Sequence, residues 1–163
     1  MSVKKRRILI LLIAIVVGLV GIVGLRINSW NQTFGLTENV ITGEKLPNAE
    51  ETIRLYFYYS NRQNWEKAKK LLGAHCDDVL SEGYFEDLNM LGALKLLEIQ
   101  DDGVWETPEE IGTYYQVWDY NVTYNQSVLY AASWETRKSE RYRFILAQER
   151  QDGPWMIYSI GHG

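Results

Sequence analysis

Eighteen consecutive residues near the start of the chain, Ile8 to Leu25, "ILILLIAIVVGLVGIVGL", carry no charged or polar side chain, and no other feature restricts the available folds as much. A helix rises about 1.5 Å per residue and a bilayer core is about 30 Å thick, so an apolar run within the working range of roughly 17–25 residues can span it. Lys4, Lys5, Arg6 and Arg7 precede the run and Arg26 closes it. That asymmetry favours a cytoplasmic N-terminus and an exported remainder. A cleaved secretory signal is the competing reading, but its apolar region is normally about 7–15 residues and ends in a small-x-small site. The residues that follow here are "RINSWNQTF", with no such site and no Cys for a lipid anchor. The expectation is an uncleaved transmembrane signal anchor in residues 1–26, touching membrane through residues 8–25. The protein is then expected to be single-pass in the cell membrane, N-terminus cytoplasmic and C-terminal domain extracytoplasmic.

Setting those residues aside changes the charge balance. They hold five of the 17 Lys and Arg and none of the 21 acids, which leaves 12 basic against 21 acidic residues, a net charge of −9, over residues 27–163. Binding to nucleic acid needs a basic surface, so no nucleic-acid partner is expected. Cys76 is the only cysteine, so no intramolecular disulfide can form and the fold must be held by its core.

Residues 27–46 show scattered apolar positions without a sustained period and read as a tether with some local order. One domain, residues 47–163, is expected after it. A helix should begin after Pro47, with Asn48 as N-cap, Glu51 three residues later as in a capping box, and Glu50 and Glu51 at the positive end of the helix dipole. Ala49, Ile53, Tyr56, Phe57 and Ser60 then fall on one stripe, while Leu55, Tyr58 and Tyr59 add apolar surface off it. "NRQNWEKAKKLLG" predicts a second, shorter helix capped by Asn64 and stopped at Gly73. "AHCDDVLSEGYFEDLNML" reads as one or two short helical turns.

Beyond it the period changes. "LGALKLLEI", Leu91 to Ile99, fits either a strand or a helical segment, and "QDDGVWETPEEIG" is rich in turn residues. "YYQVWDYNVTY", Tyr114 to Tyr124, alternates as a strand: Tyr114, Gln116, Trp118, Tyr120, Val122 and Tyr124 on one face, Tyr115, Val117, Asp119, Asn121 and Thr123 on the other. A charged turn at "ETRKSER" should lead to a strand over Tyr142 to Arg150. Asp152-Gly153 then signals a hairpin into a last strand, Trp155 to Ile160.

This order of elements, with the helix pair "AEETIRLYFYYSNRQNWEKAKKLL" and the ending "GPWMIYSIGHG", resembles the cystatin-like, nuclear-transport-factor-2-like superfamily, in particular its small exported proteins of Gram-positive bacteria. The resemblance spans roughly Asn48 to Gly163. It implies an α+β fold in which two or three helices pack on a curved antiparallel sheet of about four strands, forming a cone. In isomerases of that fold a carboxylate and tyrosines line the cone, which here makes Tyr56, Tyr59, Trp118 and Tyr120 the pocket-lining candidates. Asp119 falls on the strand face opposite Trp118 and Tyr120.

No catalytic constellation stands out. His75-Cys76-Asp77-Asp78 groups metal-ligand residue types, but adjacent residues cannot all face one ion, so no metal, cofactor or catalytic residue is assigned. His162 lies beside the chain end, where backbone frays and catalytic geometry is hard to hold. The expected function is a membrane-anchored, extracytoplasmic binding or assembly module without catalytic activity, partnered by an envelope protein or by itself. The alternatives are a small-ligand carrier or isomerase-like enzyme using the cone, and a component of a conjugation or type IV secretion apparatus.

Overall fold

The computed structural model describes the backbone of residues 3–73, 76, 93–104, 114–130 and 133–162, and the side chains at 6–21, 23–24, 31–73, 76, 94–104, 114–125 and 141–161. The elements are α1 (Val3–Trp30), α2 (Glu38–Thr42), α3 (Ala49–Asn61), α4 (Trp65–Lys69), β1 (Ala93–Val104), β2 (Gln116–Tyr130), β3 (Ser133–Gln148) and β4 (Trp155–His162). The four strands form one antiparallel sheet in the order β1-β2-β3-β4.

The N-terminal segment requires a correction. Among the described residues no helix is long and apolar enough to cross a membrane. This overturns the expected transmembrane signal anchor at residues 8–25, the membrane span in the fold class, and the single-pass location in the cell membrane with an extracytoplasmic domain.

Helix α3 forms where its caps dictate. Asn48 Oδ1 accepts from the Glu51 N–H at 2.8 Å, and the Asn48 N–H donates to Glu51 Oε2 at 2.9 Å, closing the capping box. Lys45 Nζ adds an ion pair to Glu51 at 3.1 Å. Burial pushes the Glu51 carboxyl up, but the Asn48 N–H and the Lys45 ammonium outweigh it and hold the group below the usual Glu range. A carboxyl lowered on folding stabilises the native state above its unfolded pKa of about 4.3, and that contribution is lost as pH falls through the folded value. Denaturation at a series of pH values is therefore expected to show a shallower loss of stability below about pH 5 for Glu51→Gln than for the parent.

The stripe of α3 faces the sheet. Ile53, Tyr56 and Phe57 are buried with Tyr120, Val122, Phe144, Leu146 and Ile157 in the main core, and Trp118, Tyr124 and Ile160 pack against it. Leu55, off that stripe, buries Leu36 and Val40 in a separate cluster that includes Tyr58 and Tyr59 at its margin. Residues 31–46, expected as a tether, are thus held to α3. Arg54 Nη1 reinforces this by donating to the Phe34 carbonyl at 2.8 Å.

Both sheet edges have local partners. At β4, Leu71 to Gly73 adds a short parallel bridge: the Ile157 N–H donates to the Leu71 carbonyl and the Gly73 N–H to the Ile157 carbonyl, both at 2.8 Å. At β1, the buried Asn61 side chain imitates a neighbouring strand. Its Nδ2 donates to the Leu94 carbonyl at 2.8 Å, and the Leu94 N–H donates to its Oδ1 at 2.7 Å. Unpaired edge groups are a template for misassociation, and these contacts occupy some of them.

The strand boundaries differ from the sequence expectation in two places. β1 continues through Asp101, Asp102 and Gly103, absorbing that turn-like stretch with register shifts at Leu96/Glu98 and Asp101/Gly103. β3 begins at Ser133, so "ETRKSER" lies inside a strand paired to β2, and the reversal falls after Tyr130. At the other hairpin Asp152, rather than glycine, takes the left-handed conformation, at φ 60. Gly153 is needed for closeness instead: a Cβ there would meet Arg150 Cγ at 2.9 Å and the Arg150 carbonyl at 3.0 Å.

Candidate functional site

The strand alternation of β2 divides its residues between two environments. Tyr120 is buried beneath α3, stacked on Trp118 at a centroid distance of 6.5 Å, and Tyr56 packs edge-on against Phe57 and Phe144. Burial pushes the Tyr120 hydroxyl up to about 12, with the charges of Asp101 and then Glu50 adding to it. Tyr59 lies at the edge of the core, its hydroxyl 3.4 Å from the Ile41 carbonyl and the Lys67 ammonium 5.3 Å from its ring centroid. The four pocket-lining candidates are therefore brought together as packing: two in the core, Tyr59 and Trp118 against it.

Asp119 points the other way, onto the face of the sheet turned from α3. Its Oδ2 accepts from Arg143 Nε at 2.8 Å and also from Arg143 Nη2. The Asp119 side chain is 9% exposed and that of Arg143 41%, so the carboxylate is buried and the guanidinium reaches solvent. The hydrogen-bonded ion pair raises the Arg143 pKa further above its ordinary value. Asn121 Nδ2 to Asp102, and Arg141 Nη2 to Gln100 Oε1 at 2.6 Å, continue a polar ladder across strands β1 to β3. Cross-strand pairs of this kind fix register more than they add stability.

The remaining sequence candidates separate. Cys76 is buried and its thiol donates to the Ile157 and Tyr158 carbonyls at 3.0 and 3.1 Å, a structural role at the β4 edge. His75, Asp77 and Asp78 lie outside the described residues, as does the His162 side chain, whose backbone pairs with Tyr142. Among the described residues no group of three or more His, Cys, Asp or Glu could hold a metal ion.

An open recess lies at the β3–β4 hairpin end of the sheet. Val117, Ile145 and Ala147 form a small apolar cluster on the face turned from α3, with Tyr114 and Tyr158 packed against it. The two tyrosine rings meet nearly at right angles, 5.6 Å between centroids. Together with Gly73, Ala147, Glu149 and Met156 they surround a recess of about 150 Å³. It adjoins a second, of about 430 Å³, bounded by Glu149, Arg150, Gly153, Pro154 and Met156. Burial raises the Tyr114 pKa, and the neighbouring Tyr158 and Glu149 raise it further. Sequence reasoning missed this place because alternation assigns Tyr114 to the Trp118 face. β2 begins only at Gln116, and Tyr114 joins Val117's face instead. The signal that could have found it is the Asp152-Gly153 hairpin, which sets Ala147 opposite Met156 and so brings Glu149 beside it.

No protein-family model and no curated protein matches this sequence.

Proposed function

We propose that the chain is a binding or assembly module of cystatin-like arrangement that catalyses no reaction and engages a protein partner through the hairpin-end recess. One observation carries this reading. The aromatic side chains that the resemblance would arrange around an interior pocket are packed ring against ring beneath α3, whereas open space lies at the opposite face, between Tyr114, Tyr158 and Met156. The recess of about 150 Å³ accommodates a single protruding side chain. The adjoining cleft along Glu149 to Pro154 extends the contact surface.

The test is photocrosslinking from a benzophenone amino acid placed in the full chain at Met156, with Leu97 as control. Leu97 is exposed on β1, the opposite edge of the sheet. The expected result, in cells producing the protein, is a discrete crosslinked species from position 156 and none from position 97. Equal labelling from both, or none from 156, would overturn the reading.

A further inference from the structure

We infer that the recess between Tyr114, Tyr158 and Glu149 seats a basic side chain, lysine or arginine, presented by a protein partner. This rests on the binding-module reading and names the chemistry of its contact.

Three features point to a cation. The first is the corner made by Tyr114 and Tyr158, whose rings stand at 78° to each other. Aromatic faces attract cations lying within about 6 Å of the ring centroid, and both tyrosines line this recess. The second is Glu149, an exposed residue that borders both recesses. It can pair with an ammonium or guanidinium that has passed the tyrosines. The third is Met156 with Ala147, which gives the recess an apolar wall. Lysine and arginine lay their methylene stems along such walls while the charged head seeks a carboxylate.

Among the described residues that line the two recesses, the one cation is Arg150. Its side chain borders the neighbouring recess and is folded over Gly153, with Cγ only 2.9 Å from where a Cβ would stand on that glycine. Arg150 does not line the tyrosine recess itself. The charge of the whole chain agrees in sign: it carries 17 basic against 21 acidic side chains, a net charge of −4, so a basic partner is drawn towards it at long range.

The experiment uses the full chain labelled at its methionine methyls, of which there are three. It is titrated with the blocked tripeptides acetyl-Gly-Lys-Gly-amide and acetyl-Gly-Arg-Gly-amide, and with the norleucine tripeptide as the uncharged control. The Met156 methyl signal is expected to shift with both basic peptides, at concentrations about tenfold lower than any shift with norleucine. Glu149→Gln should weaken the basic peptides about fivefold or more, and high salt should do the same. Tyr114→Leu should weaken them as well, whereas Tyr114→Phe, which keeps the ring, should not. Equal response to the norleucine peptide, no response at Met156, or indifference to Glu149→Gln would overturn the inference. The wider reading stands or falls separately, on the crosslinking from position 156.

Discussion

Replacing Phe57 with alanine is expected to lower the free energy of unfolding by about 3–5 kcal/mol, the usual cost of deleting a fully buried aromatic ring. Phe57 is 1% exposed at the centre of the interface between α3 and the sheet. Its ring meets Tyr124 at 5.0 Å, Tyr56 at 5.9 Å and Phe144 at 6.1 Å between centroids, and Phe34 approaches at 6.2 Å. Alanine would leave a cavity walled by large rings that cannot easily collapse into it, so both the lost transfer free energy and the cavity contribute. A domain of this size has only about 5–15 kcal/mol in total. Denaturant unfolding measures the change. Tyr58→Ala, one position along, is the comparison: Tyr58 is half-buried and lies under the Arg62 guanidinium at 3.6 Å, a contact worth about 1 kcal/mol. If the two variants lost the same stability, the helix-on-sheet core would be assigned wrongly.

Asn61→Leu is expected to cost about 2–5 kcal/mol although leucine is close to asparagine in size and more apolar. Asn61 is 2% exposed, and its amide meets both the N–H and the carbonyl of Leu94. Leucine would occupy the space and leave both backbone groups buried without a partner, at about 1–3 kcal/mol for each group. The loss should be local in its first appearance. Hydrogen exchange at the Leu94 amide is expected to speed up under conditions where the amides of β3, in the middle of the sheet, remain protected. A neutral or stabilising effect of Asn61→Leu would mean that the β1 edge does not depend on this side chain.

What the sequence disclosed follows from which signals are local. The start of α3 was legible because the Asn48–Glu51 box and the following stripe lie within a few residues of each other. The last hairpin was legible for the same reason. The strand at β3 was not: seven residues with five charges read as a turn, yet pairing with β2 over Gln126↔Arg137 and beyond keeps that stretch extended. Leu36 and Val40 have no periodic neighbours to announce them, and they are buried only because Leu55 projects from the second face of α3. The apolar run at the N-terminus is an instructive correction. Composition alone argued for a membrane span, whereas the described part of α1 offers no helix long and apolar enough to make one.

The recess shows the same limit at the level of function. Tyr114 is 35 positions before Glu149, Tyr158 is nine after it, and none carries a motif. The Tyr115 N–H bonds the Gln148 carbonyl at 2.8 Å, and the register sets Ala147 against Met156. Those two pairings bring the three side chains together. Of the four aromatic residues singled out from the sequence, by contrast, Trp118 and Tyr120 alternate along β2 and Tyr56 lies on the stripe of α3, and such periodicity reports burial. That explains why they serve the core.

The central claim is that the interior is filled by the chain's own aromatic rings and that recognition takes place at the outer, hairpin-end recess. Native mass spectrometry of the full-length protein, purified without added ligand, tests it most directly. The account predicts masses of the bare chain, as one copy or a whole number of copies. A reproducible small-molecule adduct that survives purification and is lost on Tyr56→Ala or Trp118→Ala would place a ligand beneath α3 and contradict it.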